Sequence, residues 1–168
     1  MFKKIKIVLC LFLIILVISC QSNIFRNQIE SILGIDSTDI IQKSSIDEFG
    51  GFGEGYTLEI YELTESSVKI FQEKPLKKLP RKDNDNWKIK DWSNTPVNNS
   101  YKEIFTLVLN YDSSDKLTKQ LRELSELLKQ KEVYYSFYYK PDKLNPTRVQ
   151  FFVLDTNTNK FYAIDVIV

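Results

Sequence analysis

The chain has 168 residues, with 23 basic and 22 acidic side chains, no histidine and two cysteines. The lack of histidine removes His-based acid–base catalysis, Ser-His-Asp triads and His metal sites. The near-balance of charge gives no electrostatic case for a nucleic-acid partner.

The first segment carries Lys3, Lys4 and Lys6, then an uninterrupted apolar run from Ile7 to Ile18. As a helix that run is roughly 18 Å long at ~1.5 Å per residue. A membrane span needs ~20 residues to cross ~30 Å of hydrocarbon, so the run fits a signal-peptide core better than a permanent span. It ends Val17-Ile18-Ser19-Cys20, which resembles the lipobox of bacterial lipoproteins. The resemblance implies that residues 1–19 are a signal peptide, that Cys20 becomes the lipidated first residue, and that 20–168 form one extracytoplasmic domain. Gln21 stands where an inner-membrane retention signal has Asp, which favours the outer membrane in a two-membrane cell. Removal of 1–19 leaves 20 basic and 22 acidic residues and no cysteine besides Cys20. Thiol nucleophiles, disulfides and thiolate metal sites are thereby excluded.

Residues 23–33 read as a helix with Phe25, Ile29, Ile32 and Leu33 on one face, stopped by Gly34 in a left-handed C′ position. Residues 38–48 read as a first strand. Gly50-Gly51-Phe52-Gly53-Glu54-Gly55 then forms a hairpin turn that needs positive φ, and Tyr56, Leu58 and Ile60 alternate with polar residues in a second strand. A short helix over 65–73 points Val68 and Phe71 inward and is stopped by Pro75. Residues 74–100 are polar and loop-like, with a short strand around Trp87–Trp92 as the alternative to a mobile loop.

Phe105, Leu107, Leu109 and Tyr111 alternate, and 103–111 are expected to form a central strand. A longer helix over about 114–131 follows, capped by Ser113 or Ser114, with Leu117, Leu121, Leu124 and Leu128 as its stripe. Strands at Glu132–Lys140, Arg148–Asp155 and Lys160–Val168 complete the chain, the last two as an antiparallel hairpin. The expected fold class is α+β: a mostly antiparallel sheet of five to six strands, with the N-terminal helix and the longer helix packed on one face.

Gly50-Gly51-Phe52 and Gly53-Glu54-Gly55, with Trp87 and Asp155-Thr156-Asn157-Thr158, resemble the pattern of a loose group of small bacterial proteins, many of them lipoproteins. Their hairpin reads Gly-Gly-Phe-His-Gly-Asp-Gly. The match spans about 30–168. This chain lacks the His and has Glu54 for the Asp, and the resemblance implies a fold but no activity.

No motif carries catalysis. The glycine hairpin lacks the following helix of a phosphate loop. Ser66-Ser67-Val68-Lys69 and Ser113-Ser114-Asp115-Lys116 fit Ser-x-x-Lys, but the companion motifs of acyl-enzymes are missing. No cofactor or metal is implied. Phe52, Glu54, Trp87, Trp92, Tyr135 and Tyr139 are the residues expected to touch a partner or ligand, weighed against plain packing roles for the aromatic ones. The leading expectation is a non-enzymatic envelope lipoprotein that acts through protein contact, tied to the membrane at Cys20. A small-ligand or glycan binder with an aromatic surface is the alternative, and a carboxylate-based hydrolase the third.

Overall fold

The computed structural model describes residues 25–36, 39–50, 53–73, 78–82, 86–111, 114–142 and 146–168. It is an α+β fold dominated by one six-stranded antiparallel sheet. The strands are β1 (Ile40–Phe49), β2 (Gly55–Leu63), β3 (Lys88–Asn94), β4 (Val133–Lys140), β5 (Arg148–Asp155) and β6 (Lys160–Ile167), in the order β1-β2-β6-β5-β4-β3. The helices are α1 (Arg26–Ile29), continued by a π-helical turn Glu30–Gly34, then α2 (Glu65–Glu73), α3 (Lys102–Leu109) and α4 (Asp115–Leu127).

The strands at the centre are apolar on both faces because both faces are covered. On one face Tyr56, Leu58, Tyr135, Phe137, Val149, Phe151, Val153, Ile164 and Val166 meet α3 and α4. On the other, Tyr61, Leu63, Tyr138, Phe152, Leu154, Phe161 and Ala163 meet α1, its π turn and α2. The expectation of helices on one face is thus corrected. The β2-to-β3 connection crosses one face and the β3-to-β4 connection crosses the other, so each carries helices over the sheet.

Two local readings also change. Residues 102–109 form a helix, not a central strand. Ile104, Phe105 and Val108 are buried while Thr106 is exposed and Leu107 half-buried. That is the i, i+1, i+4 pattern of a helix face. The stretch is apolar at 104, 105, 107, 108 and 109, so it satisfies both periods, and sequence alternation alone chose the wrong one. Of the two alternatives for 74–100, the short strand is the one found, as β3, and a 3-10 turn follows at Asn99–Tyr101. The longer helix ends at Leu127 rather than 131, with Leu128 as its C-cap.

Other elements follow their sequence signals. Gly34 has φ 65° at the end of the π turn, where a Cβ would be strained. Ser114 caps α4, its Oγ accepting from the Leu117 N–H at 3.4 Å. Leu117, Leu121, Leu124 and Leu127 bury one stripe of α4, each contributing ~2 kcal/mol by apolar burial. In the last hairpin the Asp155 carboxylate accepts from the Asn157 N–H at 3.0 Å and from the Thr158 hydroxyl, and Asn159 takes the left-handed φ of 57°. Both edge strands break register, β1 between Gln42 and Ser44 and β3 between Lys90 and Ser93. Such irregularity blunts an edge against pairing with another chain.

Candidate functional site

The sheet face under α1 is apolar at one end and polar at the other. β5 and β6 pair with Gln150 opposite Asp165, and β2 and β6 with Thr57 opposite Asp165. The period-2 pleat therefore sets Thr57, Asp165, Gln150 and Tyr138 in one row across four strands. Thr57, Gln150 and Asp165 are each 4% exposed. Their neighbour Arg148 donates from Nε to the Asp165 Oδ1 at 2.9 Å and from Nη2 to its Oδ2. This bidentate pair matches a planar guanidinium to a carboxylate. The Gln150 side-chain amide donates to Asp165 at 3.5 Å, and its carbonyl accepts from Lys82.

An aromatic–cationic nook stands on this row. The Lys82 Nζ lies 4.3 Å from the Trp87 ring and 4.7 Å from the Tyr138 ring. The Lys140 Nζ is 5.1 Å and the Arg148 guanidinium carbon 5.9 Å from the same indole. Three cations thus gather within cation–π range of one half-buried tryptophan. The Tyr138 hydroxyl donates to the Pro80 carbonyl at 2.7 Å. Burial, and then the negative charge of Asp91, hold that hydroxyl well above the usual tyrosine pKa. Next to the nook, Gln28, Ser31 and Ile32 of the N-terminal helix face Pro80, Arg81, Lys82 and Tyr138 across a hollow of 180 Å³.

Glu59 is fully buried one step along β2 from this row. It accepts from the Phe25 backbone N–H at 3.4 Å and from the Tyr61 hydroxyl. A carboxylate at 0% exposure needs such donors, because leaving it unpaired in a low dielectric costs several kcal/mol, on the order of the buried-ion penalty. Its geometry ties Phe25 to the sheet. Neither Glu59 nor Asp165 stands open in a shared cleft as an acid–nucleophile pair would.

The residues singled out from sequence do not converge. Cys20 and Phe52 lie outside the described residues. Trp92 is 3% exposed; its indole N–H donates to the Ile32 carbonyl at 3.0 Å, and its ring meets Phe71 edge-on. Tyr135 is 1% exposed among Phe105 and Phe151, and its hydroxyl accepts from the Asn98 N–H. Both are core residues, not surface contacts. Tyr139 is half-buried on the α3 face beside Phe137. Glu54 is exposed and lines a hollow of 330 Å³ with Leu107, Tyr111 and Val168. Tyr111 has its hydroxyl pKa raised by burial first, then by Glu54 and Glu48. Trp87 alone joins a charged constellation.

Sequence reasoning missed Lys82, Lys140, Arg148, Gln150 and Asp165 as a group. Their signal was the run of polar residues at alternate inward positions, Arg148 and Gln150 in one strand and Asp165 in the next, inside strands that are otherwise apolar. Among the described residues no group of three or more His, Cys, Asp and Glu could hold a metal ion, and no helix is long and apolar enough to cross a membrane. No protein-family model, curated protein or solved structure matches the chain.

Proposed function

We propose that the protein is a lipid-anchored bacterial envelope protein that acts by contact rather than by chemistry. The observation that carries this reading is the N-terminal pattern: Lys3, Lys4 and Lys6, the apolar run Ile7–Ile18, then Ser19-Cys20. Two or more acyl chains on Cys20 give stable attachment where a single chain binds only reversibly. The anchoring membrane is the outer one in a two-membrane cell, following Gln21. The domain would stand close to the bilayer, because Phe25 is already buried against Phe152 and Glu59.

Contact rather than catalysis fits the state of the ionisable residues. The buried carboxylates Glu59 and Asp165 are each engaged by donors of the fold, which supports structural roles. A ligand-binding reading is favoured by one feature, the nook of Lys82, Trp87 and Tyr138, whose chemistry suits an anion with an apolar flank. The hydrolase reading has no comparable feature.

Cys20→Ala tests the anchor. The wild-type protein should partition with membranes and carry acyl groups on its N-terminal peptide by mass spectrometry. The variant should lose acylation and remain unprocessed. A wild-type protein that keeps residues 1–19 and has no acyl group sinks the proposal. In-cell crosslinking and pull-down of the tagged lipoprotein tests action by contact, and failure to enrich any envelope protein over the Cys20→Ala control counts against it.

A further inference from the structure

We infer that the Trp87 nook is the bilayer-facing surface of the domain, and that it docks on anionic phospholipid headgroups. The inference rests on the lipid anchor proposed above, and on three further observations.

The first is position. Four residues separate Cys20 from Phe25, so the lipidated residue lies within about 18 Å of Phe25 even with the chain fully extended. Phe25 sits on the sheet face that carries the nook. It meets Phe152 with ring centroids 5.7 Å apart, Phe152 meets Tyr138 at 6.0 Å, and Tyr138 meets Trp87 at 6.3 Å. Gln28 and Ser31, within two turns of Phe25, share the hollow with Arg81 and Lys82. Phe25, five residues after the anchor, and the nook therefore lie on one side of the sheet, and α3 and α4 lie on the other.

The second is charge. Around the nook the described residues 78–82, 86–87, 140–142 and 146–148 hold five basic residues, Lys78, Arg81, Lys82, Lys140 and Arg148, against Asp142, with Asp165 bonded to Arg148 and Asp91 acting on Tyr138. The chain from residue 20 onward has 20 basic and 22 acidic residues in all. The rest of the domain is net acidic, with 15 basic and 19 acidic residues. A domain polarised in this way, tethered on its positive side, is turned by an anionic surface within a screening length of about 8–10 Å. An anionic membrane repels the remainder, which reinforces the same orientation.

The third is side-chain type. Trp87 is half-buried and ringed by Lys82, Lys140 and Arg148. An indole with an apolar body and a polar N–H suits the headgroup layer, and long basic side chains reach from an apolar stem to phosphate. Trp92, the other tryptophan, is core and bonded to Ile32, so the two report on different environments.

The test uses the full lipoprotein reconstituted into vesicles of phosphatidylcholine, or of phosphatidylcholine mixed with phosphatidylglycerol, with a nitroxide-headgroup lipid as quencher. Quenching of tryptophan fluorescence should be several-fold greater in the phosphatidylglycerol vesicles. It should fall to the phosphatidylcholine level in high salt, in Trp87→Phe and in Lys78→Glu/Lys82→Glu/Lys140→Glu. Near-ultraviolet circular dichroism, which reads the aromatic core, should be unchanged in the triple variant; if it changes, Lys78→Gln/Lys140→Gln must show a partial loss. Equal quenching in both vesicles, or quenching indifferent to these substitutions, overturns the inference. So does a Trp87 response to soluble inorganic phosphate that equals the response to vesicles, which marks a small-anion site instead. Intact mass separates the two proposals. An acylated protein with no headgroup quenching refutes the docking surface alone, and a protein without acyl groups refutes both.

Discussion

Removing the Arg148 guanidinium would leave the Asp165 carboxylate, 4% exposed, with only the long 3.5 Å bond from Gln150 among its described partners. Arg148→Ala should therefore cost about 2 kcal/mol in urea unfolding, less than for a fully buried pair because the Arg148 side chain is 35% exposed. Arg148→Met combined with Asp165→Leu should recover most of it, and a double variant as unstable as the single one would show that the pair contributes little. Ser136 gives the opposite sign. Its hydroxyl is fully buried and has no hydrogen-bond partner among the described residues, so Ser136→Ala should raise stability by about 1 kcal/mol, a shift of a few degrees in Tm. At this scale the sequence was legible where the cause is local. Gly34 is marked by the chain that must reverse around it. Glu59 and Asp165 were not legible as buried groups, because what covers them comes from α1, from the loop around Lys82 and from strands far away in sequence.

At the scale of elements, α3 separates two ways of reading one apolar stretch. Phe105 packs edge-on against Tyr135, Phe137 and Phe151, whereas Leu107 is half-buried on the helix flank. Phe105→Ala should cost about 3–5 kcal/mol and Leu107→Ala under about 1.5 kcal/mol. A strand would place both on one face with similar costs, so comparable losses would refute the helix. Ser114→Ala should cost about 1 kcal/mol through the lost α4 cap. Long elements with one dominant period could be read from sequence, β5 with its limits and α4 with an end set four residues too late. The 102–109 segment could not, since its burial is decided by β4 and β5 beneath it rather than by its own spacing. The β3 strand was half-legible: Trp92 points into the core, but Lys88, Lys90 and Asp91 mask the alternation.

For the whole molecule, buried tyrosines set an alkaline limit. Burial, then the charges of Asp155 and Glu123, push the Tyr162 hydroxyl from 10.0 up to about 12. Burial alone raises Tyr56 as well, its hydroxyl bonded to the Val108 carbonyl at 2.8 Å. The folded chain then holds these protons more tightly than the unfolded chain. The stability they contribute is whole below pH 10 and is lost as pH rises through about 12. Urea midpoints should fall across that window together with the rise of tyrosinate absorbance; a midpoint that is flat to pH 12 would contradict the burial of both hydroxyls. The topology has a consequence in time as well as in space. β6, the last strand in chain order, is the seam between the β1–β2 hairpin and the β5–β4–β3 group. Until Lys160–Ile167 emerges, β2 and β5 both present an unpaired inner edge, and the contact that joins them spans roughly a hundred residues. The sheet cannot zip progressively during synthesis; it closes in one late event. A chain stopped at Asn159 should give two sticky half-sheets that aggregate, whereas trimming Val168 alone should leave closure intact.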